Sequence, residues 1–257
     1  LITDATKLLW IETPTNPTND LVDIKMCSEI AQKYSTPEKK CITAVDNTFL
    51  GPVFQHPLKF GADLILYSAT KFIGGHSDLI GGVCLGSNEL ITAVKGMRTF
   101  LVSGSAPLNS RLMMRSLETL KLRMDKMAEN AEHIALWLEN HDKVEKVHYL
   151  GNLKEGTEQR RIYDEQCEGP GSMISFNIKG GEKEAFKFLN SLKLIKLAVS
   201  LGSTESLAEH PATMTHSMVN PQVLKDVSVT EKLVRLSIGV ENSEDLIWDI
   251  NQALEKI

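Results

Sequence analysis

Between residues 8 and 85, short apolar runs alternate with a helical pattern, and that alternation restricts the possible folds more than any other feature. Residues 8–11, 42–45, 64–67 and 82–85 read as buried strands. Between the first two, Ile24, Cys27, Ile30 and Ala31 recur at helical spacing over residues 23–34. Continuous apolar strands separated by helices predict a mostly parallel sheet covered by helices, an α/β fold. A long helix is expected after Pro107, through Leu112, Leu117, Leu120, Met124, Met127, Ala131, Ile134 and Leu138. A second block follows, with strands at 144–149, 173–178 and 233–238 and helices at 183–192 and 244–257. Asn242 or Ser243 can cap the last helix. The expected division is an α/β domain over residues 1–125 and a smaller C-terminal α+β domain over residues 126–257.

Composition narrows the function classes. The 257 residues suffice for one large or two moderate cores. A net charge of −5 gives no reason to expect nucleic acid or an anionic membrane as partner. No apolar run approaches the roughly 20 residues that cross a bilayer. Cys27, Cys41, Cys84 and Cys167 are scattered, which fits reduced thiols in a cytoplasmic protein rather than a disulfide framework or a metal site. The chain begins on Leu1 and enters directly on strand-like residues 7–11, so it reads as lacking its front.

Three segments carry chemistry. Lys71 follows Ser68 and Thr70 at the end of an expected strand, and the apolar, glycine-rich Phe72-Ile73-Gly74-Gly75 comes next. Lysine ordinarily sits on a solvated surface, which this is not. A desolvated lysine has a lowered pKa and becomes the amine nucleophile that a Schiff base needs. Ser68 and Thr70 are placed to donate to a phosphate. Asp46 also ends an apolar strand, and ligands in open α/β sheets bind beyond such carboxyl ends. It either starts a turn or caps a helix, or it holds a pyridine nitrogen protonated. Asn16, between Pro14 and Pro17 in a rigid turn, is a neutral donor for a phenolic oxygen, although Asn-Pro is common in loops.

In order, the chain carries ETPTNP (12–17), VDNTF (45–49), YSATKF (67–72), GHSD (75–78), SLG followed by ESL (200–207), HPATMTHS (210–217) and VRLSIGVE (234–241). Together these resemble the Cys/Met-metabolism family of pyridoxal-phosphate (PLP) enzymes. The resemblance implies the PLP-dependent transferase-like fold of aspartate aminotransferase type, with pyridoxal 5'-phosphate as cofactor. It implies that Lys71 holds the cofactor and shuttles protons, and that Asp46 pairs with the ring nitrogen. Asn16 would lie near the phenolic oxygen, and Ser68 and Thr70 would bind the phosphate. Ser200 and Arg235 would hold the α-carboxylate of a sulfur amino acid, and Glu12 would play a supporting part. A surface strand arginine is the alternative for Arg235, but apolar Leu233, Val234 and Leu236 around it predict burial with a partner. His76, His210 and His216 lack metal-ligand spacing and are expected in structural hydrogen bonds.

Within the family, cystathionine-handling members carry glutamate just before the serine of this SLG motif, suited to a substrate ending in an ammonium. Here Ala198-Val199-Ser200-Leu201-Gly202 is similar to the methionine γ-lyase pattern, and apolar Val199 suits a thioether tail. The expected reaction is α,γ-elimination of L-methionine to methanethiol, 2-oxobutanoate and ammonia. Cystathionine γ-lyase, cystathionine γ-synthase or sulfhydrylase activity, or an inactive structural homologue, are the alternatives. The resemblance also implies a homotetramer built from dimers. Two departures are Ser116, where many members have glycine, and a short insertion at 35–40.

Overall fold

In the computed structural model, which describes residues 2–257, the strands form two sheets. The first contains β1 (Leu8–Glu12), β2 (Ile42–Asp46), β3 (Leu64–Ser68) and β4 (Gly82–Gly86), side by side in that order. The first three are parallel, and β4 pairs antiparallel with β3. Helix α1 (Ile24–Lys33) crosses from β1 to β2, with Asp23 Oδ1 accepting from Met26 N–H at 2.8 Å as its N-cap. A short α2 (Gly51–Phe54) follows β2. After β4 come α3 (Asn88–Phe100), α4 (Pro107–Leu117) and α5 (Leu120–Glu139).

The second sheet contains β5 (Val144–His148), β6 (Met173–Ile178), β7 (Lys196–Leu197), β8 (Leu207–Glu209) and β9 (Leu233–Ser237). Their spatial order is β5-β6-β9-β8-β7, antiparallel except for the β7–β8 pair. Helices α6 (Glu158–Gln166), α7 (Glu182–Leu189), α8 (Pro221–Asp226) and α9 (Ser243–Leu254) complete the block. Asn242 is the residue that caps α9, its Oδ1 accepting from Glu244 N–H at 2.8 Å.

Helix α5 serves both halves. Its first turns put Leu120, Met124 and Met127 against Phe49, Leu50, Phe72 and Leu201. Its last turns put Ala131, Ile134 and Leu138 against Ile174, Phe176, Val234 and Leu236 of the second sheet. The single long helix expected after Pro107 is two helices, broken at Glu118–Thr119. The cause is Arg123, whose buried guanidinium donates to Ser116 O at 2.9 Å and to Phe72 O at 2.8 Å. It satisfies a carbonyl at the end of α4 that a continued helix would have paired. Helix α3 buries none of its residues and leaves Val94, Met97 and Phe100 exposed. Among the described residues no helix is long and apolar enough to cross a membrane.

Candidate active site

Parallel strands deliver their carboxyl ends to one edge, and β1, β2 and β3 end there on Glu12, Asp46 and Ser68. Glu12 and Asp46 are register partners. Burial raises the proton affinity of the Glu12 carboxyl; the Asn16 N–H, donating to its Oε1 at 2.9 Å, opposes this, and Asp46 adds to it. Asp46 Oδ1 accepts from Thr48 N–H at 3.1 Å and Thr48 Oγ1 at 2.6 Å. Thr48 Oγ1 in turn accepts from Ser68 N–H at 2.9 Å, tying the ends of β2 and β3 together.

The loop after β1 is fastened from several sides. Both Thr13-Pro14 and Asn16-Pro17 are cis. Gln55 Nε2 donates to Thr13 O at 3.1 Å, and Ser175 Oγ, from β6, donates to Pro17 O at 2.6 Å. Asn16 is thereby set against β9, where its Oδ1 accepts from Arg235 Nη1 at 3.0 Å.

Lys71 sits in a turn after β3, its N–H donating to Ser68 O at 3.1 Å, between the buried Ala69 and Phe72. The side chain is half-buried. Its proton affinity falls below the ordinary lysine value, chiefly through burial and then through repulsion by Arg235, with Glu209 opposing. Lys71 Nζ donates to Ser200 Oγ at 3.2 Å. The contact depends on Gly202, whose φ of +75° is a left-handed conformation. A Cβ there would lie 2.7 Å from Phe72 N, so only glycine lets this loop lie on the lysine's own backbone.

Arg235 is 2% exposed. Its Nη2 donates to Val199 O at 3.1 Å and Ser200 O at 3.0 Å, and its Nη1 lies 2.8 Å from Glu209 Oε1. The partner expected for a buried arginine is therefore a carboxylate on the neighbouring strand β8.

Asn16, Asp46, Ser68, Lys71, Val199 and Arg235 line one cavity of about 240 Å³. Ser200 joins them through Lys71. Thr70 stands apart from the lining: its Oγ1 accepts from Gly81 N–H at 3.1 Å. Its own proton is directed to Gly81 O, at a long 3.4 Å. A larger groove of about 600 Å³ runs along β5 beside Asp20 and His148, but it holds none of these groups. Glu209, Thr48 and Thr215, the last another cavity-lining residue, were not singled out from the sequence. His210 is buried between Thr213 Oγ1 and Glu231 O, at 2.8 and 2.7 Å from its ring nitrogens.

The residues present fit pyridoxal phosphate. A lysine amine of lowered proton affinity faces the same cavity as a carboxylate whose Oδ1 alone is engaged by Thr48. Lys71 would hold the aldehyde, Asp46 the protonated ring nitrogen, and the Ser68 and Thr70 hydroxyls the phosphate.

A model of the family described as Cys/Met metabolism PLP-dependent enzyme matches residues 1–255. The chain is similar to cystathionine gamma-lyase of Sus scrofa, 45% identical over 99% of this chain and 62% of that protein. It is similar to L-methionine gamma-lyase of Pseudomonas putida, 39% identical over 99% of this chain and 63% of that protein. The solved structure of cystathionine gamma-lyase from Lactobacillus plantarum complexed with L-serine covers 100% of this chain, with a TM-score of 0.92 at 36% identity. This match takes in 65% of that structure. The chain thus spans less than two thirds of the length of each of these relatives. Its mixed sheet with a second α+β block is the fold of the solved relative.

Proposed function

Because this chain belongs to the Cys/Met metabolism family of PLP-dependent enzymes, we propose that it carries the reactive lysine and carboxylate clamp of a carbon–sulfur lyase. The proposed reaction takes L-methionine and water to methanethiol, 2-oxobutanoate and ammonia. The observation that carries this reading is the placement of Lys71, half-buried, in one cavity with Asp46 and Arg235.

When bound, pyridoxal phosphate supplies an electron sink for charge developed on the substrate. The chain's own residues do the rest. Lys71 Nζ, whose lowered proton affinity leaves more of it as the free amine, takes the proton from the substrate's α carbon and returns it further along the substrate. Ser200 Oγ steers that amine. Arg235 and Ser200 hold the α-carboxylate, and Asn16 would hold the cofactor's phenolic oxygen. Val199 gives the thioether tail an apolar neighbour.

Cystathionine is the second reading, favoured by the 45% identity to the Sus scrofa enzyme against 39% to the Pseudomonas putida enzyme. Val199 weighs against it, since the ammonium at the far end of cystathionine would lose water against an apolar side chain at a cost of several kcal/mol. Turnover of methionine and of cystathionine by the whole protein, read as 2-oxobutanoate release, separates the two. An activated homoserine with a thiol tests synthase chemistry. Lys71→Ala abolishes all of these, and substantial turnover by that variant overturns the reading. The exposed Val94, Met97 and Phe100 suit burial between subunits, and the assembly proposed for the whole protein is a homotetramer.

A further inference from the structure

Glu209 and Arg235 are register partners on β8 and β9, with side chains 0% and 2% exposed. They meet end-on, through Oε1 and Nη1 at 2.8 Å, while Glu209 Oε2 and Arg235 Nε have no hydrogen-bond partner among the described residues. The other acceptors on the guanidinium are neutral: Asn16 Oδ1, Val199 O and Ser200 O, at 3.0, 3.1 and 3.0 Å. Thr215 donates to the same Glu209 oxygen at 3.0 Å. Burial raises the proton affinity of Glu209, while Arg235, Thr215 and Lys71 oppose this; ionised, it gives the guanidinium one anion before any ligand arrives. A second carboxylate on the same cation is repelled by the first through a poorly screened interior.

We infer that Glu209 is a positioning residue that acts through Arg235, and that its negative charge weakens the guanidinium's hold on an incoming carboxylate. The inference rests on reading Arg235 as the carboxylate clamp. Such attenuation favours release of an acidic product from a site that would otherwise retain it.

Calorimetric titration of the whole PLP-loaded protein with butyrate tests this. Glu209→Gln keeps an oxygen acceptor and removes the charge, and butyrate binding is expected to tighten about tenfold. Arg235→Gln is expected to lose butyrate. If Glu209→Gln alone fails to fold because it leaves Arg235 bare, the same change is made in an Asn16→Asp background. There a carboxylate on the other side of Nη1 keeps the guanidinium paired. Asn16→Asp weakens butyrate binding, and adding Glu209→Gln strengthens it again. Unchanged or weaker binding on removal of the Glu209 charge overturns the inference, and leaves the clamp standing if Arg235→Gln abolishes binding. Butyrate binding that survives Arg235→Gln overturns the clamp and this inference together.

Discussion

Lys71 Nζ and Ser200 Oγ are joined by a 3.2 Å hydrogen bond across 129 positions of sequence. The lysine follows a strand of the first sheet, and the serine lies in the connection from β7 to β8 of the second. Carbonyls of Val199 and Ser200 also accept from Arg235, so one short loop orients the amine and the guanidinium together. Whatever moves that loop disturbs both.

Gly202→Ala is the direct test of the loop. The added Cβ meets Phe72 N in a conformation already unfavourable for alanine. We expect a loss of roughly 2 kcal/mol or more in urea unfolding, with turnover down at least about tenfold. Wild-type activity in a fully stable variant would show that the close approach is dispensable.

Arg235→Lys keeps the charge and discards the planar fork that now reaches Asn16, Val199 and Ser200. Steady-state kinetics should show KM for methionine raised on the order of a hundredfold, with kcat reduced less. An unchanged KM places the substrate carboxylate elsewhere.

Val199 is 53% exposed and lines the cavity, so its replacement need not disturb the core. Val199→Glu should lower kcat/KM for methionine about tenfold and raise that for cystathionine, a reversal measured by direct competition. Equal losses for both substrates would remove Val199 as the discriminating residue.

His148 supplies a pH dependence remote from the cavity. Burial, aided by Lys146 and opposed by Asp20, lowers its pKa from 6.5 to about 4 in the folded protein. The unfolded chain therefore binds more protons between those values, and stability is lost as pH falls from 6.5 towards 4. The loss is on the order of 2 kcal/mol. Urea unfolding at two pH values should show a flatter profile for His148→Leu; an identical profile would assign the acid sensitivity to other groups.

Much of the site was legible before the fold was known, because strand ends are legible. Apolar runs ending on Asp46 and on Ser68-Ala69-Thr70-Lys71 lie on adjacent parallel strands, and adjacency brings those ends together. Burial of Arg235 was legible from its apolar neighbours, but its partner was not. Glu209 sits in a three-residue strand whose register against β9 is set by packing, and no spacing in the sequence records it. The break at Glu118–Thr119 was hidden for a similar reason: the group that stabilises it, Arg123, reads as a polar position in a continuous helical pattern. Helix α3 does carry a signal in the sequence: Ser87 is its cap, and Ile91, Val94 and Met97 recur at helical spacing.

Lys71 follows a strand of one sheet and Arg235 stands on a strand of the other, so the geometry of the site depends on how the sheets are set. A shift of one sheet against the other therefore changes the spacing of amine and guanidinium without altering either residue. On the proposed reading, a bound amino acid would tie the two halves of the chain together, and loosening either half would loosen its hold.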